Sequence, residues 1–143
     1  GVAIIKVGAP TEAEMIEKRH RIEDALEAVK AAQQEGIVPG GGVALIRALP
    51  KKSGSPAERI VYEAVKEPIR QMARNSGESP DLILEQVQKA KGNRGYNFAT
   101  GKMGDLLEEG VIDPVKVTIT ALTMAASAAG TLLTTGYAIV EGE

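Results

Sequence analysis

Helix start signals recur along this chain, and each precedes apolar residues at helical spacing. A Ser, Thr or Asp at the cap, proline at the first helical position and an acidic residue in the first turn all favour helix initiation. The signals are Thr11 with Glu14, Ser55-Pro56 with Glu58, Ser79-Pro80-Asp81, and Asp113-Pro114. They divide the chain into short helical segments, which indicates a mainly α fold.

The apolar spacing predicts five or six helices. The first is amphipathic and ends before Gly36, and Pro68 kinks or splits a later one. The predicted helical segments are 11–35, 43–49, 55–75, one opening at Ser79, and 113–135. Small β pieces are predicted at 2–7, 96–98 and 137–141, with a short helix or turn at 104–109.

The core of this chain has to form almost without aromatic side chains. Aromatic residues make up 3% of the sequence, with no Trp and one Phe, so Ala, Val, Ile, Leu and Met must fill it. Such a core favours close-packed helices. The Ala-rich segment 113–135 is apolar on most faces, which predicts that it is the most buried helix. Lys116 and several threonines argue against a membrane span there.

Charge and residue usage exclude several classes of function. The formal net charge is -2 and no basic stripe is present, which argues against nucleic-acid binding. The chain has no cysteine and one histidine, so neither a thiolate nor a His-rich metal site is expected. The sequence opens without a Met or a basic leader, and we interpret it as part of a longer chain.

Few residues point to chemistry by pattern alone. Gly40-Gly41-Gly42 precedes a helix and could hold an anion, but no Lys-Ser/Thr follows, and a packing turn is the favoured interpretation. Asp24 falls on a solvated helix face, Asp113 suits a helix N-cap, and His20 belongs to a charged surface. These patterns alone give no function beyond a helical domain.

Three ordered stretches resemble the group I (bacterial-type, GroEL-like) chaperonins. They are Arg21–Leu26 with Glu35–Leu45, Gly95–Thr100, and Gly110–Thr118, supported by Val2–Gly8 and Ala125–Gly130. The resemblance covers nearly the whole chain. It implies that residues 1–35 are the second segment of the intermediate (hinge) domain and 36–143 the second segment of the equatorial ATP-binding domain. The fold expected is therefore the C-terminal half of the equatorial helical bundle.

The resemblance also implies roles for matching residues. Asp24 matches the catalytic aspartate that positions or activates the attacking water. The matches that would contact the nucleotide are Gly41 along its backbone, Asn97, Phe98 and Ala99 beside the adenine, Val111 as apolar contact to the base, and Asp113 at the ribose hydroxyls. Phe98 departs from the small residue common in the family, which argues against a side-chain contact at this position and leaves a backbone contact open.

The intact family member is an ATP-dependent protein-folding ring that uses ATP with Mg. By this resemblance the apical domain, which binds co-chaperonin and unfolded polypeptides, lies outside this sequence. So do the phosphate loop and metal ligand, and the chain alone is therefore expected to be inactive as an ATPase. The expected location is the bacterial cytoplasm, or a mitochondrial or plastid matrix. The alternatives are a non-catalytic helical interaction module derived from a chaperonin and, more weakly, a self-contained nucleotide-binding domain.

Overall fold

A computed structural model describes residues 1–50 and 54–139 of this chain. Six helices and four short strands lie in this part. The helices are α1 (Glu12–Glu35), α2 (Val43–Ala48), α3 (Pro56–Ala64), α4 (Glu67–Asn75), α5 (Pro80–Lys89) and α6 (Val115–Thr134). The strands are β1 (Ile37–Pro39), β2 (Arg94–Asn97), β3 (Lys102–Asp105) and β4 (Ile112–Pro114). The mainly α prediction is confirmed.

Two of the four predicted helix starts, at Thr11 and Ser55, are formed by side-chain caps, whereas Ser79 makes no capping hydrogen bond. The Thr11 hydroxyl accepts from the Glu14 amide at 3.3 Å. Ser55 and Glu58 form a complete capping box: the Glu58 carboxylate accepts from the Ser55 amide at 2.6 Å. That backbone hydrogen bond lowers the pKa of Glu58. Pro68 splits the third predicted helix, because α3 ends before it and α4 begins one residue before it.

The core lies where α2, α4 and α5 meet the β2–β3 hairpin. Its buried side chains are Val43, Ile46, Ile69, Ala73, Ile83, Leu84, Val87, Tyr96 and Leu106. The hairpin approaches α2 closely at Gly95, where a Cβ would lie 2.5 Å from a Val43 methyl and 2.7 Å from Leu106 Cδ1. Any larger residue at Gly95 would therefore push the hairpin off α2.

Two antiparallel ladders join these elements. In one, β2 pairs with β3, with Asn97 opposite Lys102. In the other, β1 pairs with β4, with Val38 opposite Asp113. Neither β1 nor β4 was predicted, because three-residue strands from distant segments leave no alternation in the sequence. Of the helix or turn predicted at 104–109, the turn is the one that forms, at 106–109, after the end of β3.

The predicted terminal strands are not formed. Residues 1–9 have neither helix nor strand and are mostly exposed, with Val2 96% accessible. No strand pairs with them in the described ranges. Tyr137 to Ile139 are likewise irregular and exposed, and residues 140–141 of that predicted strand lie outside the described residues.

The prediction that the last helix is the most buried is wrong. None of the α6 residues is buried, and its Leu132 and Leu133 are 75% and 87% exposed. The long helix α1, which was predicted to be amphipathic, also buries no side chain. Both helices contact each other near the β1–β4 ladder, where Lys116 donates to Gln34 Oε1 at 2.6 Å. The described elements therefore leave apolar side chains of both helices partly or fully exposed.

The accessible surface reflects these two helices. It amounts to 10702 Å², whereas a folded monomer of this length would expose about 7,000 Å². By length and composition α6 is also apolar enough to cross a membrane, a test that core helices of soluble proteins pass as well. The excess area agrees with the exposed apolar side chains of α1 and α6.

Candidate functional site

A glycine turn, residues 40–42, connects β1 to α2. Gly41 and Gly42 have φ angles of 64° and 73°, a left-handed conformation that disfavours other residues. A Cβ on Gly42 would lie 3.3 Å from the backbone nitrogen of Ile69, so its absence lets α4 approach. The turn therefore has the expected packing role, since Gly42 allows α4 to lie close to it. At Gly41 the nearest atoms lie 3.6 and 3.8 Å away, so this glycine is required for its φ.

The β1–β4 ladder places Asp113 next to the glycine turn. Asp113 pairs with Val38, three residues before Gly41. The helix start predicted at Asp113-Pro114 exists, but Asp113 is not its cap: Pro114 occupies that position and no side chain caps the helix. Pairing in β4 has moved Asp113 out of capping position. Among the described residues, nothing donates a hydrogen bond to its carboxylate.

Gly41 and Asp113 line one cavity of about 620 Å³ between α2, α3, α4 and α6. The remaining lining is almost entirely apolar. It comprises Pro39, Gly42, Ala44, Leu45, Ile60, Val61, Ala64, Val65, Pro68, Met72, Val117, Thr118, Ala121, Leu122, Ala125 and Ala126. Asp113 is the one charged residue among these lining residues.

Asn97, Phe98 and Ala99 end β2 and begin the turn of the hairpin. Asn97 is buried, its Nδ2 donates to Glu109 Oε2 at 2.6 Å, and its Oδ1 accepts from the Ala99 amide at 3.0 Å. The Phe98 ring packs on the core and meets Tyr96 edge-on, with ring centroids 5.0 Å apart. Ala99 is exposed. The Phe98 side chain is thus occupied by core packing.

Val111 links the glycine turn to the hairpin. Its carbonyl accepts from the Gly40 amide at 2.9 Å, and its own amide donates to the Leu106 carbonyl at 2.8 Å. A Cβ on Gly41 would lie 3.6 Å from the Tyr96 carbonyl, one residue before Asn97. Six of the seven candidate residues therefore lie on adjoining segments around the glycine turn.

Asp24 is the exception. It lies on an exposed face of α1, and it does not line the cavity beside Gly41 and Asp113. Eleven residues separate it from Glu35 at the helix end, which corresponds to about 16 Å along the axis. No described side chain hydrogen-bonds to its carboxylate. In this arrangement Asp24 stands apart from the glycine turn.

Sequence reasoning missed the residue that fastens these segments together. The Arg47 guanidinium donates to the carbonyls of Val87 at 2.8 Å, Gly92 at 3.1 Å and Arg94 at 2.9 Å. Burial lowers the pKa of Arg47. The clamp holds α2, and with it the glycine turn, against the start of β2. A single arginine on a short apolar helix was the only signal available.

Metal-binding side chains do not assemble in this part of the molecule. Within residues 1–50 and 54–139 no group of three His, Asp or Glu residues could hold an ion. The cavity lining likewise holds no Lys or Arg. The residues present suit a neutral, hydroxyl-bearing group beside Asp113 better than a phosphate chain.

The model of the TCP-1/cpn60 chaperonin family matches residues 1–143, the full length of the sequence.

Proposed function

The chain belongs to the TCP-1/cpn60 chaperonin family, and we propose that it is the C-terminal part of a group I subunit, where it supplies one half of an ATP site. Residues 1–35 would belong to the intermediate domain and 36–143 to the equatorial domain. The β1–β4 ladder begins one residue after that boundary and supports placing a junction there.

One observation carries the nucleotide proposal. The bare backbone of Gly41 and the unpartnered carboxylate of Asp113 line the same cavity. An ionised carboxylate accepts hydrogen bonds and donates none, which suits the two hydroxyls of a ribose. We therefore assign Asp113 to the ribose, Gly41 to backbone contact, and Val111 with the 97–99 segment to the border of the base.

The phosphates of ATP require other residues. The cavity offers no cation, and phosphoryl transfer depends on positive charge and metal around the phosphates. We propose that Mg and the phosphate loop come from a segment outside this sequence, and that Asp24 on α1 positions the attacking water once that segment is present. ATP hydrolysis would then power protein folding.

Family membership implies oligomeric assembly with other subunits. We propose a homo-oligomeric ring that works with a co-chaperonin on unfolded polypeptides, both bound through an apical domain outside this sequence. A cytoplasmic or organellar-matrix location is part of the same proposal. The exposed faces of α1 and α6 also support the alternative, a non-catalytic interaction module, which would bind protein through these faces and leave Asp113 unused.

Asp113→Asn separates these two functions. Asp113 caps no helix and accepts no described hydrogen bond, so we expect the free energy of unfolding to change by less than about 0.5 kcal/mol. Nucleotide affinity in the full subunit should fall about tenfold or more, the scale of a charged hydrogen bond. Calorimetric titration with ATP measures this. Asp24→Asn is the matched control and should bind ATP normally; unchanged affinity for Asp113→Asn removes the ribose role.

The exposed face of α6 predicts association of the chain on its own. Exposed apolar surface of this extent drives protein–protein contact, so sedimentation should show dimers or larger species at high concentration. Leu122→Glu, which places a charge among the apolar cavity residues, should shift the population toward monomer. Thr120→Glu is the control on the same helix. A monomer at all concentrations for the unaltered chain contradicts this expectation.

A further inference from the structure

Glu109 makes a contact that the function proposed above does not use. Its carboxylate accepts from Asn97 Nδ2 at 2.6 Å, across 12 residues of chain. Asn97 is the one buried polar residue in the described core, at 7% exposure. With Oδ1 accepting from the Ala99 amide, both ends of its amide are satisfied, and the orientation of that amide is determined.

Gly104 makes room for this contact. It lies on β3 opposite Gly95. A Cβ built on Gly104 would lie 1.6 Å from Glu109 Oε1 and 2.6 Å from its Cδ. No side chain can share that space with the carboxylate, so the missing side chain of Gly104 forms the seat in which Glu109 lies.

Backbone hydrogen bonds in the 105–109 turn place Glu109 next to Gly104. The Asp105 carbonyl accepts from the Glu109 amide at 3.0 Å, and the Asp105 side chain accepts from the Leu107 amide at 3.0 Å. Val111 follows this turn, and its carbonyl accepts a hydrogen bond from the Gly40 amide at 2.9 Å. Glu109 therefore sits between two segments assigned to the nucleotide, 97–99 on one side and Val111 on the other.

We propose that Glu109 is a positioning residue of the nucleotide site: seated over Gly104, its carboxylate holds the Asn97 amide and so fixes the 97–101 turn beside the base. The proposal rests on the nucleotide role assigned above. The Asn97 carbonyl accepts from the amides of Thr100 at 3.2 Å and Gly101 at 2.9 Å, so the turn closes around this residue. Releasing Asn97 loosens the turn and leaves the cavity at Asp113 unchanged.

Three substitutions in the full subunit test this. Glu109→Ala removes the acceptor, and Gly104→Ala fills the seat and displaces the flexible Glu109 side chain. Glu109→Gln keeps an acceptor oxygen of the same reach. Glu108→Ala is the matched control, since Glu108 is exposed and its carboxylate makes no described hydrogen bond. Hydrogen–deuterium exchange of the peptide covering 97–101, without nucleotide, and ATP affinity are the two readouts.

We expect exchange at 97–101 to rise several-fold and ATP affinity to fall about three- to tenfold in Glu109→Ala and Gly104→Ala, the scale of one hydrogen bond. Glu109→Gln and Glu108→Ala should behave as the unaltered subunit. The double variant Gly104→Ala/Glu109→Ala should show the same exchange and the same ATP affinity as either single variant, because both substitutions remove the same contact.

The outcomes separate the two proposals. Unaltered exchange in Glu109→Ala overturns the positioning role, whatever happens to binding. Faster exchange with unchanged ATP affinity leaves Glu109 a structural residue and also overturns the role in the site. A subunit that binds no ATP before any substitution overturns the nucleotide function itself, and this inference with it.

Discussion

Replacing Asp24 with alanine in the full subunit should slow ATP hydrolysis on the order of 100-fold, the loss typical of a residue that positions or activates a nucleophile. Nucleotide affinity should change less than about twofold, because Asp24 is exposed on α1 and does not line the cavity beside Asp113. Single-turnover hydrolysis and equilibrium titration, measured on the same preparation, separate the two effects.

Glu23→Ala is the matched control for that experiment. Glu23 is the neighbouring carboxylate, exposed and paired with Arg19 at 3.6 Å, and its loss should leave hydrolysis within about twofold. The 143-residue chain alone should not exceed background hydrolysis. Turnover by the chain alone that disappears with Asp24→Ala would contradict our assignment, as would a variant subunit that no longer binds ATP.

Leu106→Ala should be the most destabilising single change near the site, at about 3–5 kcal/mol. Leu106 is fully buried, and two of the residues around it are glycines: a Cβ would lie 2.7 Å from its Cδ1 at Gly95 and 3.8 Å at Gly41. Glycines have no side chains that could fill the space, so the cavity should persist. Denaturant unfolding of the chain measures the loss.

Leu133→Ala is the comparison. It deletes the same atoms from a side chain that is 87% exposed on α6, so the free energy of unfolding should change by less than about 0.5 kcal/mol. Equal losses for the two variants would mean that the described core does not carry the stability of the chain.

Local chemistry made the helices predictable. Thr11, Ser55 and Pro68 act within one or two turns of their own position, and the structure places helix boundaries at each of them. The burial of α6 was not predictable in the same way. Its composition suits a core, but burial requires neighbouring elements, and those described here cover only part of it.

The candidate site also combines features that the sequence predicts with features that depend on distant contacts. Gly41 and Asp113 could be named from the resemblance, but their meeting depends on two three-residue strands 73 residues apart, for which the sequence has no local signal. Glu109 and Arg47 escaped notice for a related reason. Each acts on atoms far along the chain, and an isolated Glu or Arg in a sequence does not reveal its distant partner.

The β1–β4 ladder also determines where the chain enters and leaves the core. Every residue of the core cluster, from Val43 to Leu106, falls between the two strands. The chain therefore enters and leaves the core at the β1–β4 strand pair. Helix α1 ends just before β1 and helix α6 begins just after β4, so both long helices start from the same junction. Gly41 and Asp113 lie in or beside this junction, so both candidate residues are placed where the two long helices leave the core.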